Sequence, residues 1–288
     1  MSENKIIKAI KDKGKTLEAE MSFFDHLEAL RGHLIRSAVA IVIFTSVIFY
    51  FYDWIFSTII MGPSKPTFWT YRMLCKIGAA LHRDGFCINS VHVKLINTEM
   101  AGQFTLMINS ALIMGITLGI PYLIWEIWKF IKPALHEKER KAATGFVFYA
   151  CALFFMGVLF GYYVITPMSI NFLSGFTVSP DIENLFDTDS YLSSVATLTL
   201  ATGLVFQLPI LVYILANLGI MTPKFMKETR RYAIVVILVI AAVVTPTPDM
   251  LTMTVVSIPL FVLYEVSIVV AGLVEKRKLK KEQELMNS

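Results

Sequence analysis

Apolar residues fall along this chain in long blocks separated by short charged segments, so the distance between consecutive charges is the first thing to read. Uncharged runs extend from Ser37 to Tyr52, Met100 to Trp125, Ala142 to Pro180, Ser190 to Pro223 and Tyr232 to Pro248, and a last begins at Met250 and is interrupted only by Glu265. A helix that crosses the hydrocarbon layer needs roughly 20 predominantly apolar residues. The pattern predicts an all-α membrane protein of six spans, at about 37–53, 102–128, 144–168, 192–218, 232–245 and 251–273. The fifth is short: at ~1.5 Å per residue its helix reaches ~21 Å, against a hydrocarbon thickness of ~30 Å.

The segment before the first run reads differently. In Phe23 to Arg36, FFDHLEALRGHLIR, the apolar Phe24, Leu27, Leu30 and Leu34 recur at helical spacing among Asp25, His26, Glu28, Arg31 and His33. This is an amphipathic helix of the kind that lies where water meets a bilayer. Residues 1–36 are thus expected as a Lys-rich tail plus this helix, residues 37–274 as the spanning domain and residues 275–288 as a second basic tail. Nothing before Ser37 resembles a cleavable signal.

Residues 54–99 form the longest segment expected outside the spans. The turn-forming GPSKP, the aromatics Phe68, Trp69 and Tyr71 and a β-branched patch from Val91 to Ile96 predict a small folded cap at the membrane surface. Cys75 and Cys87 share it, and either pair there or remain two thiols. Cys151 sits in an apolar run as a small core residue.

Composition agrees with this class, since 56% of the 288 residues are hydrophobic, 17% are charged and the mean hydropathy is +0.63. Charge also orients the chain. Of the 26 Lys and Arg residues, seven precede the first run, five lie at Lys129 to Lys141, four at Lys224 to Arg231 and five at Lys276 to Lys281. The alternate segments Met168 to Tyr191 and Pro246 to Leu251 have none, so the positive-inside rule places both termini in the cytoplasm. The net charge of +4 is then a topology signal, and no nucleic-acid partner follows from it.

Polar residues at membrane depth are few and each needs a reason. Gln207 precedes Pro209, which removes the hydrogen bond that the carbonyl of Val205 would have accepted; a kink is expected there, with the Gln207 amide as a possible partner for that carbonyl. Glu265 is the acid of the last run and Asp249 directly precedes it, while Pro133 marks the turn after the second span and Pro246 and Pro248 the end of the fifth. The acids Asp181, Glu183, Asp187 and Asp189 read as a solvated outer loop. No span offers the bases or ligands of a hydrolase or metal centre, and no phosphate-binding glycine loop occurs, so neither catalysis nor a cofactor is expected. A solute transporter or channel subunit is the competing class; it predicts inverted repeats and polar groups meeting at the midplane, and neither is evident.

HLEALR at His26, WEIWKFIKPALHEKER at Trp125, FQLP at Phe206 and TPTPD at Thr245, on a six-span layout, resemble TatC, the polytopic subunit of the twin-arginine protein translocase. The similarity runs from about Phe23 to Val274. It implies a curved bundle with short fifth and sixth helices and a receptor for signal peptides bearing consecutive arginines at the cytoplasmic face of a bacterial inner membrane. It also implies TatA-like and TatB-like single-span partners, self-association and export of folded cargo driven by the proton-motive force.

The resemblance carries residue roles too. The family's loop glutamate matches Glu139, followed by Arg140. Its amino-terminal motif, His-Leu-x-Glu-Leu-Arg, aligns His26, Leu27, Leu30 and Arg31, but Ala29 stands at the glutamate position. Glu28 lies next to it, ~100° away on a helix, and Asp25 lies four residues before it on the same face; either is a candidate replacement. Carboxylates suit this task because each holds a guanidinium in a bidentate fork. Gln207 stands where the family commonly has glutamate, and with Glu265 and Asp249 it is a candidate contact for a partner helix.

Overall fold

The computed structural model describes residues 23–80, 93–131, 143–179, 181–217, 219–245 and 250–286. Helix α1 (Phe23–Tyr50) is followed by α2 (Tyr52–Ile55), a π-helical turn (Phe56–Ile60), α3 (Trp69–Ala80), strand β1 (Lys94–Ile96) and α4 (Gly102–Ile131). Then come α5 (Ala143–Phe160), a second π-helical turn (Gly161–Ile165), α6 (Thr166–Gly175), β2 (Leu185–Asp187), α7 (Thr188–Val205) and α8 (Leu208–Asn217). The described chain ends with α9 (Pro223–Glu228), α10 (Arg230–Val244) and α11 (Met250–Met286).

Five stretches are long and apolar enough to cross a membrane: Leu30–Tyr50, Gly102–Phe130, Val147–Gly175, Thr188–Asn217 and Thr252–Lys280. Their outward faces are apolar, as at Leu34, Val42, Phe148, Leu159, Leu211 and Val269, each more than half exposed. Apolar surface on that scale needs lipid or protein against it. The fifth expected span, α10, has 15 residues and falls short of that length.

Two expectations change. The amphipathic segment and the first apolar run are one unbroken helix, because nothing in Phe23–Tyr50 interrupts the ladder. At the other end α11 has 37 residues, so the last helix is the longest described and not a short one. Its apolar part stops near Val274, but Lys, Glu, Gln and Leu in EKRKLKKEQELM are strong helix formers, with no Gly or Pro to end the helix. Lys278 Nζ ties this extension to the finish of α8, donating to the carbonyls of Asn217 (2.7 Å) and Ala216 (3.1 Å).

Helix α1 packs chiefly on α4. The crossing is close: a Cβ on Gly115 would lie 2.8 Å from Thr45 Cα, and one on Gly119 2.6 Å from Ile41 Cγ1. Glycine at both positions lets the two backbones approach as larger residues would not. Elsewhere Leu198, Phe206, Ile237, Ala241, Val256 and Leu260 form a core joining α7, α10 and α11.

The cap expected over residues 54–99 is held by tyrosines. Tyr71 donates to Pro63 O (2.9 Å), Tyr162 to Ile59 O (2.6 Å) and Tyr191 to Ile60 O (2.9 Å). Each phenol caps a carbonyl at the π-helical turn or its exit, where the regular ladder is broken. Burial pushes the Tyr71 phenol up from its ordinary value. The β-branched patch supplies β1, which pairs in parallel with β2, Leu95 opposite Phe186. The acidic outer loop is more than solvated: Asp187 accepts from the Asp189 backbone N–H to cap α7, and Glu183 pairs with Lys94. Cys75 is disulfide-bonded and Cys151 is a free thiol; Cys87 lies outside the described residues.

Candidate functional site

The end of the bundle where α1 begins and α4 finishes is where the sequence places most of the expected chemistry. Glu28 and Arg31 are exposed on α1. Asp25 lies in the same helix, but its side chain is outside the described residues, as are Pro133, Glu139 and Arg140 beyond α4 and Pro246, Pro248 and Asp249 before α11.

What the structure brings together here is a set of charges built around Glu126. Its carboxylate is 1% exposed, among apolar residues one turn before the end of α4. Oε2 accepts from His33 (Nδ1, 2.6 Å) and from Arg36 (Nε, 3.1 Å) on α1, and Oε1 accepts from Lys129 (Nζ, 2.7 Å) on its own helix. Arg36 also approaches His33 Nδ1 with its terminal nitrogen (3.0 Å), but the single Nδ1 proton is directed to the carboxylate at 2.6 Å. The imidazole edge packs on Phe130, with ring centroids 6.1 Å apart, and the Lys129 ammonium lies 4.5 Å from the Trp125 ring centre. Both carboxylate oxygens are therefore occupied, and α1 is joined to α4 by charge at this level.

The sequence reading missed this centre because it treated Glu126 as the boundary of an apolar run. Two signals were available. Glu126 stands between Trp125 and Trp128, inside α4, and a carboxylate in that setting must be paired. His33 and Arg36 are three residues apart, as are Glu126 and Lys129, so each pair shares one helix face near the same end of its helix.

Gln207 and Glu265 have separate partners. Gln207 lies in the break between α7 and α8, and its Nε2 donates to Ala150 O on α5 (2.9 Å). The kink before Pro209 is present as that break, but the amide crosses to a neighbouring helix instead of serving the Val205 carbonyl. Glu265 on α11 accepts from Arg230 at the start of α10 (2.8 Å). Among the described residues, no group of three or more His, Cys, Asp or Glu side chains is arranged to hold a metal ion.

A family model described as "Sec-independent protein translocase protein (TatC)" matches residues 25–259. The chain is 37% identical over 266 residues to the Sec-independent protein translocase protein TatC of Blattabacterium sp. subsp. Periplaneta americana (strain BPLAN), covering 92% of this chain and all of that one. It is 35% identical over 253 residues to that of Deinococcus radiodurans, covering 88% and 86%. A crystal structure of a twin arginine translocase receptor, TatC, superposes with a TM-score of 0.62 at 29% identity over 87% of this chain and 99% of that one. A second, solved in DDM, gives 0.65 at 30% identity over 85% and 99%.

Proposed function

The chain belongs to the TatC family of Sec-independent protein translocase proteins, and on that premise we propose that it is the receptor subunit for twin-arginine signal peptides. It sits in a bacterial cytoplasmic membrane with both termini inside and six spans, α10 being the fifth. It assembles with TatA-like and TatB-like single-span proteins, and with further copies of itself, to export folded cargo at the expense of the proton-motive force. The observation that carries this reading is likeness over nearly the whole chain to a solved protein described as a twin arginine translocase receptor.

In this reading Glu139 is the main ligand of the paired arginines, with Arg140 and Arg31 setting the local field, and Asp25 or Glu28 stands in for the acid missing at Ala29. Glu28 is exposed, as a ligand-reading acid must be. Gln207, Glu265 and Asp249 are the contacts for partner helices. A charge-assisted hydrogen bond contributes ~1.5–3 kcal/mol, so loss of one carboxylate weakens binding roughly 10- to 100-fold. The test is the affinity of the purified chain for an Arg-Arg signal peptide against its Lys-Lys counterpart. Glu139→Ala should lose most of that preference, and Glu28→Ala compared with Asp25→Ala identifies the second acid. Equal binding of both peptides by the unsubstituted chain would end the receptor reading.

A further inference from the structure

The charge cluster at Glu126 has no place in the peptide-reading role just described, because its oxygens are already taken by His33, Arg36 and Lys129. What it does hold is the position of α1. That helix packs chiefly on α4, and its outward residues Leu34, Ile35, Val39, Val42 and Ile43 are half or more exposed. The two helices pack along much of their length, and two levels of that contact matter here. One is the close crossing of Thr45 and Ile41 on Gly115 and Gly119. The other is the Glu126 cluster with the His33–Phe130 ring contact, nearer the start of α1.

The glycine crossing and the packing beyond it at Ile48 fix the middle and end of α1, and the Glu126 cluster adds the attachment that limits swing of the charged start. At ~1.5 Å per residue Glu28 lies ~26 Å along α1 from Thr45, so a ~10° swing about the crossing displaces it by ~4.5 Å. A bidentate carboxylate–guanidinium pair tolerates far less, since its two hydrogen bonds need ~2.7–2.9 Å and a shared plane. The segment after α4 starts from the other side of the same attachment. We propose that Glu126 is a positioning residue for arginine recognition: with His33 and Arg36 it clamps α1 to α4, fixing the acids of α1 relative to the segment that follows α4. The inference rests on the receptor reading above.

Burial explains why a carboxylate is used. At 1% exposure Glu126 cannot be left unpaired, so the two α1 side chains that satisfy it must stay in register with it. A greasy contact at the same level would hold the helices together but let them slide. Arg36, whose side chain is 55% exposed, closes the cluster from the water side.

The experiment uses the full chain in nanodiscs and an Arg-Arg signal peptide as probe. Glu126→Gln keeps the shape of the side chain and removes the charge; it should weaken peptide binding by about tenfold or more, the scale of one lost charge-assisted contact. Arg36→Gln leaves Glu126 paired with His33 and Lys129, and serves if Glu126→Gln does not fold. A smaller loss, of roughly threefold, is expected from it.

A distance readout then separates positioning from direct contact. Spin labels on cysteines introduced at the exposed Leu34 of α1 and Ile127 of α4, in a Cys151→Ser background, report the separation of the two helices beside the cluster. Without peptide the otherwise unsubstituted chain should give one narrow distance, and Glu126→Gln should broaden it. Unchanged binding by both Glu126→Gln and Arg36→Gln would overturn the clamp while leaving the receptor reading intact. A loss of binding with the label distance unchanged would also overturn it. If the unsubstituted chain binds no peptide, the receptor reading fails and the clamp with it.

Discussion

Glu126 and Glu265 are both carboxylates set in mainly apolar helices, and both meet an arginine from a neighbouring helix. Their surroundings differ in one respect. Glu126 is 1% exposed and uses both oxygens on three partners, whereas Glu265 has a side chain 35% exposed, pairs one oxygen with Arg230 and leaves Oε1 without a partner among the described residues. A buried charge must be saturated by its own protein, because water cannot finish the task. Glu265 is not saturated, although its unpaired Oε1 is itself shielded from water. The first therefore reads as a joint between α1 and α4, and the second as a pair that a donor from a partner helix would complete.

The largest expected effect comes from removing the saturated group. Glu126→Ala leaves His33, Arg36 and Lys129 facing one another with no acid. Removing one member of a buried ion pair typically costs ~3–5 kcal/mol, but Arg36 and Lys129 are about half exposed and water relieves them, so about 1.5–3 kcal/mol is expected here. Denaturant unfolding in detergent measures it. A loss below ~0.5 kcal/mol would remove the distinction between the two carboxylates.

Glu265→Ala should cost less, below about 1 kcal/mol, since water takes over the Arg230 guanidinium. Its sharper readout is assembly: if copurification of single-span partners is unaffected, the open oxygen has no partner to meet. A cost as large as that of Glu126→Ala would show that Glu265 is as closed a joint as the other.

The smallest effect belongs to the exposed pair of Glu183 and Lys94. The Lys94 ammonium holds the Glu183 carboxyl below its ordinary value of 4.5. A group lowered on folding adds stability above its unfolded value and loses that contribution as pH falls through the folded one. Glu183→Gln should therefore lower stability only slightly at pH 7, and the small difference should close as pH falls below about 4.5. A difference at neutral pH as large as that of Glu126→Ala would place this surface pair alongside the buried ones.

Much of the architecture was legible before any coordinates, because a bilayer imposes a length and a polarity on whatever crosses it. Charge-free runs of ~20 residues, a short helix at Tyr232, a break before Pro209 and a strand in the patch ending at Ile96 all follow from local rules of that kind. The ends of the helices were less legible. The sequence marks where apolar character stops, near Val274, but a helix continues wherever its residues favour it, as α11 does to Met286.

The site divides in the same way. The acids expected at the basic end, of which Glu28 is exposed, come from residue type and resemblance alone, since a ligand-reading group needs no neighbour in the fold to be suspected. Glu126 was not found. Its meaning depends on His33 and Arg36, which are 93 and 90 residues away in the chain and come within hydrogen-bonding distance only because Gly115 and Gly119 let α1 lie against α4. Hydropathy and helical periodicity are properties of neighbours along a chain, and a saturated buried charge is a property of neighbours in space.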